Sequence, residues 1–298
     1  MLPKPTRPFR RKYERLPRRK QVTIAIGLLG RDCLVMAADT QESSGNYMKS
    51  DQTKLLSFMS FGSGAGKPDT LHPGACVVAG AGDSGHVRSL ALKLGSKFLD
   101  SPDIRLSPIP KGIYIEPVIE EVMGVFYKKH IVPFASYPAS QRPDVEMMMG
   151  MFRNHELRLF VTEKTALVGS MPYAAIGIGC TYAKLLLGKL WADLPAKELE
   201  VLAAYVIFMV KESVEDCGKY TTIATLHGSR IVDEAGTNKL LPPETSLTYT
   251  PWNHIDQWER NFKTTWVHAE KEVITKLIKE DAYGPTPEKF RKQRPGAR

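Results

Sequence analysis

Helix-patterned segments in this sequence arrive in consecutive pairs, with strand-patterned segments between the pairs. Residues 22–29 and 33–38 are strand runs joined by the turn Gly30-Arg31-Asp32, and "ACVVA" at 75–79 is a third strand with no polar break. A helix is predicted over 85–99, where Val87, Leu90, Leu94 and Phe98 recur at helical spacing, and a second over 116–129. Residues 145–152 and 156–163 form a hairpin across "RNHE", and 165–169 continues the sheet. Two more helices follow at 180–191 and 195–214; the latter is apolar nearly all round, which predicts a helix sandwiched between layers. "YTTIATLHG" at 220–228 returns as a strand, 229–253 reads as irregular, and 255–281 reads as a final helix. One helix per strand would give a doubly wound parallel sheet. Paired helices predict antiparallel sheets with helical layers outside them.

Composition narrows the class. The chain has 298 residues, 43% of them hydrophobic, enough for a sizeable core in one large domain or at most two. Cys33, Cys76, Cys180 and Cys217 follow no metal or disulfide spacing, so reduced thiols and a cytoplasmic setting are expected. No apolar run approaches the roughly 20 residues that a membrane helix needs. The formal charge of +9 is unevenly spread. Residues 1–20 hold nine Lys/Arg against Glu14, and 283–298 hold five against Glu288, which leaves the body between them at −3. The basic character therefore lies in two Pro-containing tails rather than on a folded nucleic-acid face, and a solvated arm is the expected state of the first. A nucleic-acid module driven by those tails would bind with steep salt dependence and would lose binding when they were cut. "RRKQVTIAIGLLG" superficially resembles an export signal, but Arg31 and Asp32 end its apolar run at once. Within 60–73, "GSGAGK" echoes a phosphate loop, but its spacing fails and Pro68 stands where Ser or Thr is needed, so a plain loop is expected. The seven histidines show no ligand pairing, so no metal or cofactor is expected. Met147, Met148, Met149 and Met151 read as strand core.

Three blocks carry a family likeness. "VTIAIGLLGRDCLVMAADTQESSGNYMKSDQTKLL" resembles the opening of proteasome β-type subunits and of the peptidase subunit of the bacterial ATP-dependent two-part protease. The shared pattern is a leading Thr, a strand, a basic-acidic turn, a second strand ending in Ala-Ala-Asp, and a later Lys. "VAGAGDSGHVRSL" resembles the next block, before the first helix, and "YAAIGIGCTYAKLLL" a third, where a Gly-x-Gly turn opens the third helix. The blocks stand in family order and span roughly residues 22–227. The resemblance implies a bacterial proteasome-like protein with the N-terminal-nucleophile (Ntn) hydrolase fold, a four-layer αββα sandwich of two antiparallel sheets. It divides the chain into a basic Pro/Arg-rich extension at 1–21, a hydrolase domain at 22–228, and a carboxy-terminal extension at 229–298 with a long helix and a basic tail.

The implied chemistry is a threonine-type peptidase or amidase. A threonine hydroxyl attacks the carbonyl, and the α-amino group of the same residue takes the proton; an α-amine titrates near pH 8, which suits a general base. A lysine cation lowers the relevant pKa values, an aspartate holds the lysine, and backbone N–H groups hold the oxyanion. By matching, Thr23 is the nucleophile, Asp39 the aspartate sixteen residues on, and Gly80 the oxyanion-hole glycine. Lys54 matches the lysine once one residue is deleted near Asn46–Tyr47; otherwise Leu55 would fall there. The bland alternatives are a strand threonine, a strand-end aspartate and a surface lysine.

Three departures from the family pattern stand out. Ile178 replaces a serine between the two glycines of the third block, and Val214 and Cys217 replace an aspartate and a serine after the fourth helix, with Glu215 and Asp216 as possible substitutes after a register change. Val22 precedes Thr23 where self-processing relatives have glycine, and a β-branched residue is a poor substitute at a strained cleavage bend. Two expectations follow. Translation starting at codon 22, with GTG read as methionine, would let an aminopeptidase expose Thr23. Alternatively Thr23 stays capped and the chain is a non-catalytic scaffold subunit. The resemblance further implies a homo-oligomeric ring, peptide or unfolded-protein substrates, and an ATPase partner of unknown identity. A small-molecule amidase on the same fold is a third reading.

Overall fold

β1 (Ile24–Leu29) and β2 (Cys33–Asp39) form the predicted hairpin, pairing antiparallel with Ala25 opposite Ala38 and Leu29 opposite Leu34. All of β2 is buried: Leu34, Met36 and Ala38 enter the core between two sheets, and the alternate residues face a helix over Ala196–Ser213 on the other side. Burial on both faces is why the segment reads as a continuous apolar run. The structure is a computed structural model. It describes residues 23–44, 48–60, 74–100, 104–105, 113–138, 142–153, 156–169, 171–228, 230–232, 238–240, 247–265 and 268. The arm at 1–21, Val22, the loop at 61–73, the far end of the last helix and the tail at 283–298 lie outside the described residues.

After the hairpin come a ribbon of β3 (Gln41–Ser44) and β4 (Met48–Asp51), then β5 (Leu55–Ser60), β6 (Gly74–Gly82) and α1 (Ser84–Asp100). A short parallel pair, β7 (Ile104–Arg105) and β8 (Ile113–Tyr114), leads into α2 (Ile115–His130). The chain returns through β9 (Val145–Arg153), β10 (Glu156–Glu163), β11 (Ala166–Gly169) and β12 (Tyr173–Gly177), then α3 (Cys180–Leu190) and α4 (Ala196–Ser213). β13 (Thr221–His227), the ribbon β14 (Arg230–Val232) with β15 (Asn238–Leu240), and β16 (Leu247–Tyr249) complete the strands.

Two five-stranded sheets result, ordered β12-β1-β2-β13-β16 and β11-β10-β9-β6-β5, and every ladder within them is antiparallel. Helices α1 and α2 cover the second sheet, while α3 and α4 cover the first. The fold is therefore a four-layer αββα sandwich of two antiparallel sheets. Met147, Met149 and Met151 pack under α1 and α2, and Met148 enters the core between the sheets; all four are fully buried. α4 buries eight residues, including Ile207, Phe208 and Val210, against the first sheet, while its Val201 stays 45% exposed.

The sequence reading missed β3, β4, β5, β7, β8 and β12, and its irregular 229–253 contains β14, β15 and β16. These strands are short, and the last three, Arg-Ile-Val, Asn-Lys-Leu and Leu-Thr-Tyr, carry too few alternations for a period-2 signal. The chain divides into two units, Met1–Thr250 and Pro251–Arg298. In the second, a helix covers 252–265, starting three residues before the predicted position. Among the described residues no helix is long and apolar enough to cross a membrane.

Candidate functional site

The hairpin register sets the first contact. One step beyond Ala25–Ala38, Asp39 comes level with the start of β1. Its Oδ1 accepts hydrogen bonds from the Thr23 hydroxyl and from the Ile24 amide, both at 3.1 Å. Thr23 is 4% exposed and Asp39 is fully buried. A separation of sixteen residues thus becomes a contact because a three-residue turn joins two strands of matched length.

Lys54 arrives by a second register. Leu55 pairs with Ala79 across β5 and β6, so Lys54 stands one step beyond, level with Gly80. Its ammonium lies 2.6 Å from Asp39 Oδ1 and also donates to the Gln41 carbonyl. Lys54, and not Leu55, reaches the aspartate; Leu55 is buried between the sheets. The ion pair is almost dry, with the Lys54 side chain 10% exposed and that of Asp39 wholly covered. An isolated charge there would be costly, and removing one partner of such a pair typically destabilises a fold by about 3–5 kcal/mol.

Gly80 lies on β6 beneath α1. A Cβ at this position would stand 2.2 Å from Val87 Cγ1 and 3.1 Å from Met147 Sδ, so helix and strand approach too closely there for a side chain. Thr23, Lys54 and Gly80 line one cavity of about 480 Å³, whose walls also include Leu56, Val78 and Arg88. The structure thus brings together all four residues singled out from the sequence.

One partner was missed. The Gly218 amide donates to Asp39 Oδ2 at 3.0 Å from 179 residues away. It belongs to the turn after α4, which is clipped to the exit of β2 at three further points. Gln41 Nε2 donates to the Asp216 carbonyl (2.9 Å), the Thr40 amide to the Tyr220 carbonyl (2.9 Å), and the Tyr220 amide to Thr40 Oγ1 (3.1 Å). The glycine directly after Cys217 was the available signal, but a carboxylate recognised by main-chain N–H leaves no side-chain trace. Ile178 is half exposed at the turn before α3, and Val214 ends α4. Cys217 is buried beside Asp39, and burial together with that carboxylate pushes its thiol up to about 12. Glu215 is exposed, and Asp216 meets Gln41 through its carbonyl. Among the described residues, no group of three His, Cys, Asp or Glu is placed to hold a metal ion.

The fold is a four-layer αββα sandwich of two antiparallel sheets, and solved structures with this fold superpose on most of the chain. An Anbu (Gly-1) mutant from Hyphomicrobium sp. strain MC1 matches with a TM-score of 0.59 at 15% identity, over 85% of this chain and 97% of its own. Anbu, described as an ancestral beta-subunit, from Yersinia bercovieri matches with a TM-score of 0.58 at 14% identity, over 84% and 97%. The helical assembly of the Anbu complex from Pseudomonas aeruginosa matches with a TM-score of 0.57 at 14% identity, over 84% and 96%. No protein-family model matches the sequence, and no curated protein does.

Proposed function

We propose that this protein is a proteasome-like threonine hydrolase of peptide or amide bonds, with Thr23 as nucleophile once its amino group is free. The observation that carries this reading is the Asp39 carboxylate. It receives the Thr23 hydroxyl, the Lys54 ammonium and the Ile24 and Gly218 amides, and Thr23 opens onto a cavity large enough for a side chain. In the proposed reaction Thr23 Oγ1 bonds to the substrate carbonyl carbon as its proton passes to the α-amine. The amine protonates the departing nitrogen, and water then cleaves the acyl ester and restores the hydroxyl. Gly80 supplies an N–H to the oxyanion, and Lys54 stabilises negative charge at the nucleophile. The carbonyl and its leaving group need no cofactor for this chemistry.

Self-association is part of the proposal, as a ring or a helical array of like subunits, because one neighbour is itself described as a helical assembly. Peptides or unfolded chains are the proposed substrates, and an ATPase partner would deliver the latter.

A second reading, a catalytically silent scaffold of the same fold, is favoured by Ile178, Val214 and the β-branched Val22 before Thr23. Intact-mass measurement and N-terminal sequencing of the protein from its own cells separate the two. A chain starting at Thr23 with peptidase activity that Thr23→Ala abolishes supports the hydrolase. A chain that keeps upstream residues supports the scaffold.

A further inference from the structure

On the face of β9 that looks toward sheet one, a single charge stands among apolar residues. The alternate residues Met148 and Phe152 enter the core between the sheets, and Gly150 lies against Leu34 and Met36 of β2. By the same period of two, Glu146 faces sheet one, at the end of the sandwich that carries Thr23. It pairs with Ala81, the neighbour of Gly80, and its Oε2 accepts a hydrogen bond from the Gly177 amide of β12 at 2.9 Å. Gly177 is the residue opposite Ile24 and has φ +89°. A Cβ there would lie 2.2 Å from the Thr23 carbonyl oxygen and 2.9 Å from its Cγ2. Glu146 therefore holds the bend that wraps Thr23.

We infer that Glu146 is a positioning residue of the site: through Gly177 it sets the pose of Thr23, and its carboxylate supplies the negative charge that faces the Thr23 α-amino group. This rests on the hydrolase reading above. The other groups around Thr23 leave that task open. On β2, Asp39 is taken up by the hydroxyl, Lys54 and two amides. Lys54, before β5, is a cation. After α4, Val214 is uncharged, the Cys217 thiol stays neutral at working pH, and Asp216 engages Gln41 through its carbonyl. Ile178 next to Gly177 carries no polar group. Asp51 of β4 and Arg88 of α1 line the adjoining cavity with opposite charges. Around Glu146 itself stand Asp144 and the Tyr127 phenol of α2, whose pKa is raised by burial and by both of these acids.

A carboxylate facing an ammonium favours the charged form and so raises the pKa of the amine. Activity needs the neutral amine, so this charge holds the acid limb of the pH–rate profile at higher pH. The test measures hydrolysis of fluorogenic peptides from pH 5 to 9 by the protein as isolated, alongside E146Q, E146D, E146A and T23A. E146Q keeps an acceptor for the Gly177 amide and removes the charge. The expected result is an acid limb displaced to lower pH by about half a unit, since Glu146 is itself exposed and partly screened. E146D should keep the wild-type limb at a reduced rate, and E146A should lose activity about tenfold or more as the bend relaxes. An E146Q profile that superposes on wild type would overturn the inference while leaving Thr23 as nucleophile. Activity unchanged in T23A, or a mature chain that begins upstream of Thr23, would overturn the hydrolase reading and with it any charge role for Glu146.

Discussion

The two ends of β2 handle buried polarity in opposite ways. At its exit, Asp39 is fully buried and both its oxygens are occupied, by a hydroxyl, an ammonium and two amides. At its entrance, Asp32 Oδ1 is buried with no hydrogen-bond partner. The Cys33 thiol beside it is pushed up to about 12 by burial and by the charge of Asp32, with Glu200 and Asp193 adding to the effect. His227 lies opposite Cys33 and has its pKa lowered by burial. Both ends gather titratable groups at the rim of a sheet, but among the described residues the exit gives both oxygens of Asp39 donors while Asp32 Oδ1 has none, and the exit opens onto a cavity. Partner completeness is what distinguishes a prepared site from an accumulation of polar residues.

The sharpest way to break this comparison is to empty the exit of its cation. Lys54→Ala strands Asp39 in a dry setting and should destabilise the protein by about 3–5 kcal/mol in urea unfolding, with hydrolysis abolished. Lys54→Met, which keeps most of the volume, should behave similarly; near-wild-type stability in both would mean that the ion pair is not structural. Next in size is Gly80→Ala. Its methyl meets Val87 at 2.2 Å, so a loss of about 1–3 kcal/mol is expected. Val87→Ala in the same chain should recover part of that loss.

The entrance should respond to pH instead. A histidine whose folded pKa is lowered is neutral in the fold, while the unfolded chain takes up a proton below about 6.5. Its penalty is absent above that pH, grows as pH falls, and levels off once pH is below the folded pKa. Thermal midpoints should therefore fall less between pH 7 and pH 5 in His227→Gln than in the wild type. Equal falls would remove His227 from the account. The smallest effect concerns the thiols. Cys33, Cys76 and Cys217 are buried with thiols near 12, whereas Cys180 is half-buried at the start of α3. Native alkylation at pH 7.5 followed by peptide mapping should find label at Cys180 first. Early label at Cys217 would show that the site end opens readily to solvent.

Legibility followed the same divide. Thr23 and Asp39 were singled out through the family spacing of sixteen residues, and the predicted hairpin with its tight turn is the physical reason that this spacing becomes a contact. Lys54 was readable only through a family gap, because the β3–β4 ribbon between it and Asp39 has no fixed length imposed by pattern. Glu146 was hidden in "VEMMMG": Met147, Met148 and Met149 are buried on both faces of β9, which erases the alternation that would have revealed an inward-facing acid.

By itself the sequence determined the alternation of strand runs with paired helices, the antiparallel sheets with helices outside them, and the hairpin that sets Thr23 against Asp39. These rest on periodicity and on turns between neighbours, which act locally along the chain. Only the tertiary structure decided that Lys54 lies level with Gly80, that the Gly218 amide completes Asp39, and that Glu146 reaches Gly177. Each of these depends on the register between segments far apart in sequence, and register is set by how whole sheets pack, which no local pattern records.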